Sequence, residues 1–122
     1  MFEFSIPAKA RVPVPHFHKA VDEVIYALEG TTPTTLDGVR HELRAGQCLF
    51  IPRGSVHTHE NLHSETARSL IVITPGTIGR RYFNEIAHEV NVTRNPDLVK
   101  IKEIMIRHGL VPTLSKPLVI GR

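Results

Sequence analysis

Two segments of this sequence, residues 15–30 and 46–61, constrain its fold more than any other feature. Both combine imidazole or carboxylate side chains with glycine or proline at fixed intervals. In order, they read His16-x-His18-x4-Glu23-x6-Gly30 and Gly46-x5-Pro52-x-Gly54-x2-His57-x3-Asn61. Repeated turn residues between short apolar stretches are typical of β-structure, so these segments predict a β-scaffold that carries a cluster of polar side chains.

The histidines and the glutamate of the two segments are predicted to converge. His16 and His18 are two residues apart, so a strand places both imidazoles on the same face. Glu23, on the following antiparallel stretch, can face inward as well. His57 comes from a different strand, after a turn in which Gly54 allows a backbone conformation that a Cβ would penalise. Three imidazoles and one carboxylate could then be collected by a single metal ion.

The donor types indicate which metal would bind. Three neutral imidazoles and one carboxylate suit one divalent transition metal ion, such as Fe, Mn, Ni, Zn, Co or Cu, whereas Ca²⁺ and Mg²⁺ prefer oxygen ligands. Four protein ligands on a six-coordinate ion leave two positions for other ligands. Since the carboxylate cancels one of the two positive charges, the centre would favour an anionic small molecule.

The other histidines need not bind a metal ion. His59 lies two residues beyond His57 and is predicted to face inward too, either as a catalytic proton carrier or as a buried side chain bonded to a backbone carbonyl. His63 is predicted to be exposed. No role is assigned to the three histidines in hairpin or helix contexts, namely His41, His88 and His108.

Length and composition bound the remaining possibilities. The chain has 122 residues, which fits one domain with one hydrophobic core. It has no long apolar run and no signal-peptide pattern at its N-terminus, and Cys48 is its single cysteine. These features predict a cytoplasmic protein that does not enter a membrane. A net charge of +3 with 6% aromatic residues and no tryptophan gives no sign of nucleic-acid binding.

Short alternating segments between turn signals predict an antiparallel β-sandwich or barrel. The predicted strands are residues 2–6, 17–28, 34–36, 39–43, 48–51, 56–61 and 67–74, with a hairpin at Asp37-Gly38. Residues 80–89 have helical spacing, and a second helix is predicted to begin at Asn95-Pro96 and to end at Gly109. Residues 116–121 could form one more strand or an arm. The chain is therefore predicted to be one domain, with a β core over 1–75 and a helical extension over 76–122.

The two segments resemble the two motifs of the cupin superfamily, G-x5-HxH-x3,4-E-x6-G and G-x5-PxG-x2-H-x3-N. Nine of the ten fixed positions match, and the exception is a framing glycine that is Ala10 here. The resemblance covers about residues 2–75. It implies an all-β, double-stranded jelly-roll barrel, often dimeric. It also implies that the metal ligands are His16, His18, Glu23 and His57, with Asn61 as a framing residue.

Cupins include dioxygenases such as quercetinases, oxalate-active enzymes, isomerases and non-catalytic binding modules, so the fold does not fix the function. The chain looks most like the single-domain, quercetinase-like proteins. The leading hypothesis is a metal-dependent oxygenase that acts on a small hydroxylated or enolisable substrate. The alternatives are a metal-dependent isomerase or decarboxylase, with His59 as acid or base, and a small-molecule-binding module without catalysis.

Strand alternation also predicts an apolar outer surface. If Glu23 faces inward, then Val24, Tyr26 and Leu28 face outward and need a cover, either a second copy of the chain or the C-terminal helices. Phe2 and Phe4 are expected to pair across the axis of a homodimer.

Several further side chains are predicted to lie in or near the core. Cys48 is expected to be buried, and five apolar residues to be core or cavity-lining: Ile25, Ala27, Phe50, Ile71 and Ile73. Tyr82 and Phe83 are expected either to cover the barrel mouth or to anchor a helix. Arg53 is expected in an exposed turn, from which it could meet an anionic substrate.

Overall fold

The structure is a computed structural model that describes residues 1–10, 14–92 and 95–113. Within these ranges the predicted order of strands followed by helices is confirmed, whereas the predicted tail element at 116–121 lies outside them. The elements are β1 (Phe2–Ile6), β2 (His16–His18), β3 (Asp22–Glu29), β4 (Thr31–Leu36), β5 (Val39–Arg44), β6 (Cys48–Ile51), β7 (His57–His59), β8 (Ala67–Thr74), α1 (Arg80–Val92), α2 (Leu98–Arg107) and β9 (Leu110–Pro112).

The strands form two antiparallel sheets, as predicted for a jelly-roll barrel. One sheet has four strands in the order β1-β8-β3-β6, and the other has five in the order β5-β4-β7-β2-β9. Neighbours within each sheet are mostly distant in sequence, so the chain passes repeatedly from one sheet to the other. The two inner faces enclose the core and leave one end for the metal-ligand candidates.

Strand β3 lies inside the four-stranded sheet and sets the pattern of its two faces. Glu23 pairs with Ile51 of β6, and Ile25 pairs with Ile71 of β8. Glu23, Ile25 and Ala27 are buried, while the residues between them are more exposed, so the predicted face parity is confirmed. A carboxylate is thereby held at the end of a row of apolar side chains.

Two burial predictions for β6 are wrong. Cys48 is exposed, and the side chain of Phe50 is 57% exposed. Because Ile51 pairs with inward-facing Glu23 and Leu49 pairs with Ile25, alternation turns Cys48 and Phe50 to the outer surface. Phe50 therefore neither lines the cavity nor belongs to the core, and Cys48 is not a small buried hydrophobe.

The hairpin at Asp37-Gly38 is confirmed. It joins β4 and β5, whose register runs from Thr31 opposite Arg44 to Leu36 opposite Val39. Asp37 and Gly38 both have positive φ, at 47° and 82°. A two-residue turn with positive φ at both positions matches the right-handed twist of the strands on either side.

The start of the second helix differs from the prediction. Asn95 does not cap it; Asp97 does, because its carboxylate accepts hydrogen bonds from the backbone N–H groups of Val99 and Lys100. Aspartate caps a helix as well as asparagine, and here it lies directly before the first helical turn. The predicted stop is confirmed, since Gly109 follows the helix with a φ of 83°.

The C-terminal part is joined to the barrel in two ways. Strand β9, which the sequence did not predict, pairs with β2 and places Leu110 opposite His18. One hydrophobic core also includes barrel residues together with Ile78, Tyr82, Ile101, Ile104 and Met105. Helices α1 and α2 with β9, residues 80–112, are called the helical cover below. Neither of the two described helices combines the length and apolar character needed to cross a membrane.

Candidate metal centre

The pairing of β2 with β7 brings the two sequence motifs together. His16 is directly opposite His57 in the register, and His18 follows on the same face of β2. All three imidazoles are buried, and His57 is only 1% exposed. The ring centroids of His16 and His57 lie 4.5 Å apart, and those of His18 and His57 lie 5.1 Å apart.

Glu23 reaches this group from the opposite sheet. Its Oε2 lies 3.2 Å from Nε2 of His18 and 3.1 Å from Nε2 of His57. The structure thus brings together all four side chains predicted as ligands. The donor atoms of His16, His18 and His57 all lie within 4.8 Å of one another, and so do those of Glu23, His57 and His59.

Hydrogen bonds at the back of the rings prepare two of the histidines for metal binding. Nδ1 of His16 lies 2.9 Å from the carbonyl oxygen of Val14, and Nδ1 of His57 lies 3.1 Å from that of Ser55. Because a carbonyl only accepts, each Nδ1 carries the hydrogen and leaves an Nε2 lone pair free. Backbone carbonyls bonded in this way fix the tautomer and orientation of metal-binding histidines in other proteins.

The residues present fit a divalent transition ion. Nε2 of His57 makes no hydrogen bond to any described residue, although it lies 3.1 Å from the Glu23 carboxylate. A ring lone pair facing a carboxylate oxygen inside a buried site is unfavourable without a cation between or beside them. A second buried ring nitrogen, Nδ1 of His18, also has no partner among the described residues.

The site stabilises the protonation states that metal binding requires. Burial, and then the neighbouring His57, lower the pKa of His16 to about 3. Burial raises the pKa of Glu23, but other interactions, of which the hydrogen bond with the imidazole of His18 is the largest, outweigh burial and hold this pKa well below its usual range. At neutral pH the imidazole of His16 is therefore neutral and the carboxylate of Glu23 is ionised, and these are the forms that bind a metal ion.

His59 lies on the same inward face as His57, as the sequence predicted. It is buried, and its Nδ1 lies 3.0 Å from the hydroxyl oxygen of Thr34. Burial is the main cause that lowers the pKa of His59 to about 4, so the ring is neutral at pH 7. Thr34 was not singled out from the sequence, because only the register of β4 with β7, in which Thr34 is opposite His59, makes it a partner.

The remaining histidines lie away from this cluster. His63 is exposed, as predicted, and its Nε2 lies 3.0 Å from a carboxylate oxygen of Glu42. His108 lies beside Glu85 of α1, at 3.3 Å. Arg53 belongs to an exposed turn, as predicted, and its guanidinium is paired with Asp22 rather than turned into the cavity.

A cavity of about 70 Å³ adjoins the cluster. Its lining combines the five clustered polar side chains with a mostly apolar wall. The lining residues are Phe2, Phe4, His16, His18, Glu23, His57, His59, Ile71, Ile73, Ile78, Tyr82, Phe83 and Leu110. Such a volume, below the 300–1,000 Å³ typical of drug-sized ligands, suits a small ligand or the reacting end of a larger one.

Aromatic residues from β1 and α1 form part of the cavity wall. The ring centroids of Phe2 and Phe83 lie 4.4 Å apart, and the Phe4 ring lies 5.6 Å from His59. Within one chain, Phe2 and Phe4 thus belong to the cavity wall, and their pairing across a dimer axis stays a prediction. Tyr82 is buried and Phe83 is partly buried, and both lie in the first turn of α1. Their side chains both line the cavity and pack on the hydrophobic core, so α1 covers the cavity and is also anchored to the barrel.

The two sheets and the interior cluster of histidines with one glutamate place this chain among the jelly-roll β-barrel proteins that have a site suited to a metal ion. The family model Cupin_2, described as Cupin domain, matches residues 2–73. This match covers more than half of the 122 residues, and the chain belongs to the cupin family. The helical cover lies outside the matched residues.

Three similar proteins have names that bear on chemistry. Polyketide synthase CurC of Streptomyces cyaneus is 37% identical over 60 residues, which are 49% of this chain and 39% of CurC. The structure of the polyketide cyclase RemF from Streptomyces resistomycificus is 33% identical, with a TM-score of 0.52 over 58% of this chain and 49% of RemF. That of a predicted oxalate decarboxylase from Thermotoga maritima is 27% identical, with a TM-score of 0.54 over 58% of this chain and 61% of that one.

The similarity is concentrated in the barrel. The chain spans 39% to 54% of the length of the curated relatives that it matches.

Proposed function

We propose that this protein is a metal-dependent enzyme that moves a proton on a small enolisable or hydroxylated substrate, bound as an anion. The observation that carries the proposal is the juxtaposition in one cavity of the His16, His18, Glu23 and His57 cluster with a fifth buried polar group, His59. A site that only held a metal for stability would have no need of a separate imidazole beside the cavity.

The four clustered side chains would hold one divalent transition ion, such as Fe, Mn, Ni, Zn, Co or Cu. When bound, such an ion acts as a Lewis acid that stabilises negative charge on a substrate oxygen. Glu23 is the one anionic side chain among the residues that line the cavity. It offsets only one of the two positive charges of the ion, so the centre would attract an anionic substrate.

His59 would exchange the proton. In this role Nδ1 would carry the ring hydrogen and donate it to the Thr34 hydroxyl oxygen. Nε2 would then have the free lone pair, so it would accept a proton from the substrate and return it to another atom of the same substrate. The hydroxyl of Thr34, itself fully buried, keeps the ring in one orientation. The apolar wall of the cavity excludes water, which limits loss of the proton to solvent.

The named relatives support carbonyl chemistry. RemF is named a polyketide cyclase, and ring closure of a polyketide proceeds through enolisable carbonyl groups. A second candidate function is oxygenation of the same class of substrate. It is favoured by the apolar wall made by Phe2, Phe4 and Phe83, which suits a reaction that must be kept from water.

One experiment distinguishes these reactions. The metal-free protein is loaded without oxygen with each candidate ion and incubated in D₂O with small hydroxy ketones, 3-oxo acids and flavonols. Proton transfer predicts metal-dependent deuterium incorporation by NMR without oxygen uptake, whereas an oxygenase consumes oxygen once air is admitted. His59→Gln should abolish the exchange, and the matched control His63→Gln, at an exposed position, should not.

The outcomes separate catalysis from simple binding. Ligand binding with neither exchange nor oxygen uptake would assign the site to a binding module and contradict the proposal. Exchange that persists at the wild-type rate in His59→Gln would remove His59 from the mechanism. It would leave proton transfer to another group.

We also propose a homodimer that forms through the outer face of the four-stranded sheet, one of the surfaces that the sequence leads us to expect to be covered. Tyr26 and Phe50 are 41% and 57% exposed on the outer face of the four-stranded sheet. This apolar face would be covered by a second copy. Sedimentation velocity should give a dimer for the wild type and a monomer for Phe50→Glu; a monomeric wild type would contradict this.

A further inference from the structure

Among the residues that the structure describes, one polar side chain lines the cavity besides the five clustered side chains. Among the described lining residues, His16, His18, Glu23, His57 and His59 belong to the cluster, and the others are apolar except for Tyr82. Tyr82 comes from the first turn of α1, outside the residues that the family model matches. No motif therefore marks it, and its presence depends on the particular helix that closes this barrel.

We propose that Tyr82 is a specificity-determining residue whose hydroxyl donates a hydrogen bond to a second oxygen of the substrate. The proposal rests on the proposed function and deepens it, because it names the substrate class. The substrate would carry an anionic oxygen function that binds at the metal centre, and a separate carbonyl or hydroxyl oxygen further along the molecule.

The position of Tyr82 supports this role. The side chain is only 8% exposed, and the aromatic ring contacts Phe83 and His108, with centroid distances of 5.0 Å and 5.4 Å. The apolar part of the cavity wall consists of side chains that cannot accept a hydrogen bond, such as Ile73, Ile78 and Leu110.

The hydroxyl is also suited to act as a donor. Burial, and then the negative charge of Glu23, raise the pKa of Tyr82 well above its usual range. The phenol therefore keeps its proton at every pH at which the protein would work.

The test uses pairs of carboxylates that differ by one oxygen. Each oxo acid is compared with the acid that has CH₂ in place of its carbonyl: 3-oxobutanoate with butanoate, 4-oxopentanoate with pentanoate, and 5-oxohexanoate with hexanoate. Binding to the Co²⁺-loaded protein is followed by calorimetry and by the visible absorption of the ion. Metal content is measured for every sample.

The wild type should prefer one oxo acid over its partner by about three- to tenfold, as one neutral hydrogen bond would give. Tyr82→Phe removes the hydroxyl and keeps the ring, so it should abolish that preference without changing metal content or the binding of the plain acid. The matched control is Tyr26→Phe, because Tyr26 is the other tyrosine of the chain and lies on the outer surface.

The failures are distinguishable. If the Co²⁺-loaded wild type binds none of the six acids, the anionic substrate of the proposed function is wrong, and the inference about Tyr82 falls with it. If the plain acids bind but no pair is discriminated, or if Tyr82→Phe keeps the discrimination, the inference about Tyr82 is overturned and the proposed function stands. If Tyr82 had only a structural role, Tyr82→Phe would keep the discrimination, since phenylalanine retains the contacts of the ring.

Discussion

The barrel and the helical cover contribute to the cavity in different ways. The barrel supplies the metal-ligand candidates and His59 from short strands whose pairing fixes every side-chain direction. The cover supplies Tyr82, Phe83 and Leu110, which line the cavity without belonging to any motif. Under the two proposals above, the barrel would determine metal binding and the cover would determine the choice of substrate, so the two properties could change independently.

The largest expected effect comes from removing a metal-ligand candidate of the barrel. His57→Ala should lower metal affinity by more than about a hundredfold, because loss of a group that merely orients a ligand already costs about ten- to a hundredfold. Elemental analysis after dialysis should find about one ion per wild-type chain, lost in the variant. The control His63→Ala should keep it. Full metal content in His57→Ala would show that the cluster is not the metal centre.

Acid should destabilise the metal-free barrel next most strongly. An unfolded histidine takes up a proton near pH 6.5, whereas His16 and His59 do so only near pH 3 and 4. Between these values the unfolded chain binds more protons, so the free energy of unfolding falls as pH is lowered. Each group contributes up to about 1.4 kcal/mol per pH unit. Glu23, with its lowered pKa, acts in the same direction below about pH 4.5.

Urea unfolding of the chelated protein at several values between pH 7 and pH 4 measures this dependence. His59→Gln should make it shallower, and His63→Gln should leave it unchanged. A free energy of unfolding that is constant over this range would mean that the histidines are not buried in the metal-free protein.

A core substitution in α2 sharpens the comparison by testing whether the cover folds with the barrel. Ile101 is 1% exposed and belongs to the core that both parts share. Ile101→Ala should therefore lower the free energy of unfolding by about 2–4 kcal/mol, in a single urea transition. Val99→Ala, at an exposed position of the same helix, should change it by less than about 0.5 kcal/mol. A separate early transition in Ile101→Ala would show that the cover unfolds alone.

The smallest expected effect compares one glycine from each part. Gly30 and Gly109 both have positive φ, which costs about 1–2 kcal/mol for a residue with a Cβ. A Cβ at Gly30 would also lie 2.6 Å from the carbonyl oxygen of Thr66, whereas one at Gly109 would meet open space. Gly30→Ala should thus lower the melting temperature more than Gly109→Ala. Equal shifts would mean that only the backbone conformation matters at both positions.

The sequence predicted the barrel better than the cover because the barrel is governed by local rules. Residues 67–74 and the turn at Asp37-Gly38 were identified because alternation and turn chemistry act between neighbours. Strand β9 could not be predicted, since its three residues are too few to show an alternating pattern of apolar and polar side chains. The faces of Cys48 and Phe50 depend on pairing with β3, which a four-residue apolar run does not reveal.

The candidate site follows the same division. The four ligand candidates and His59 could be placed from spacing and resemblance. Thr34 could not, because its importance depends on the register of β4 with β7. Whether Tyr82 covers the cavity or anchors a helix could not be decided from the sequence, because the answer depends on how α1 packs over the cavity. The residue that caps α2 could not be decided either, because the sequence does not show whether Asn95 or Asp97 reaches the free backbone N–H groups.

Asn61, the last residue of the second motif, has a consequence for the mouth of the cavity. Its buried amide donates to the carbonyl oxygens of Ile6 and Glu65, and its carbonyl oxygen accepts from the backbone of His63. It therefore ties the end of the first strand to the loop that follows β7. Because that strand carries Phe2 and Phe4, a residue that does not itself line the cavity helps to hold in place the strand that supplies two of the aromatic rings of its wall.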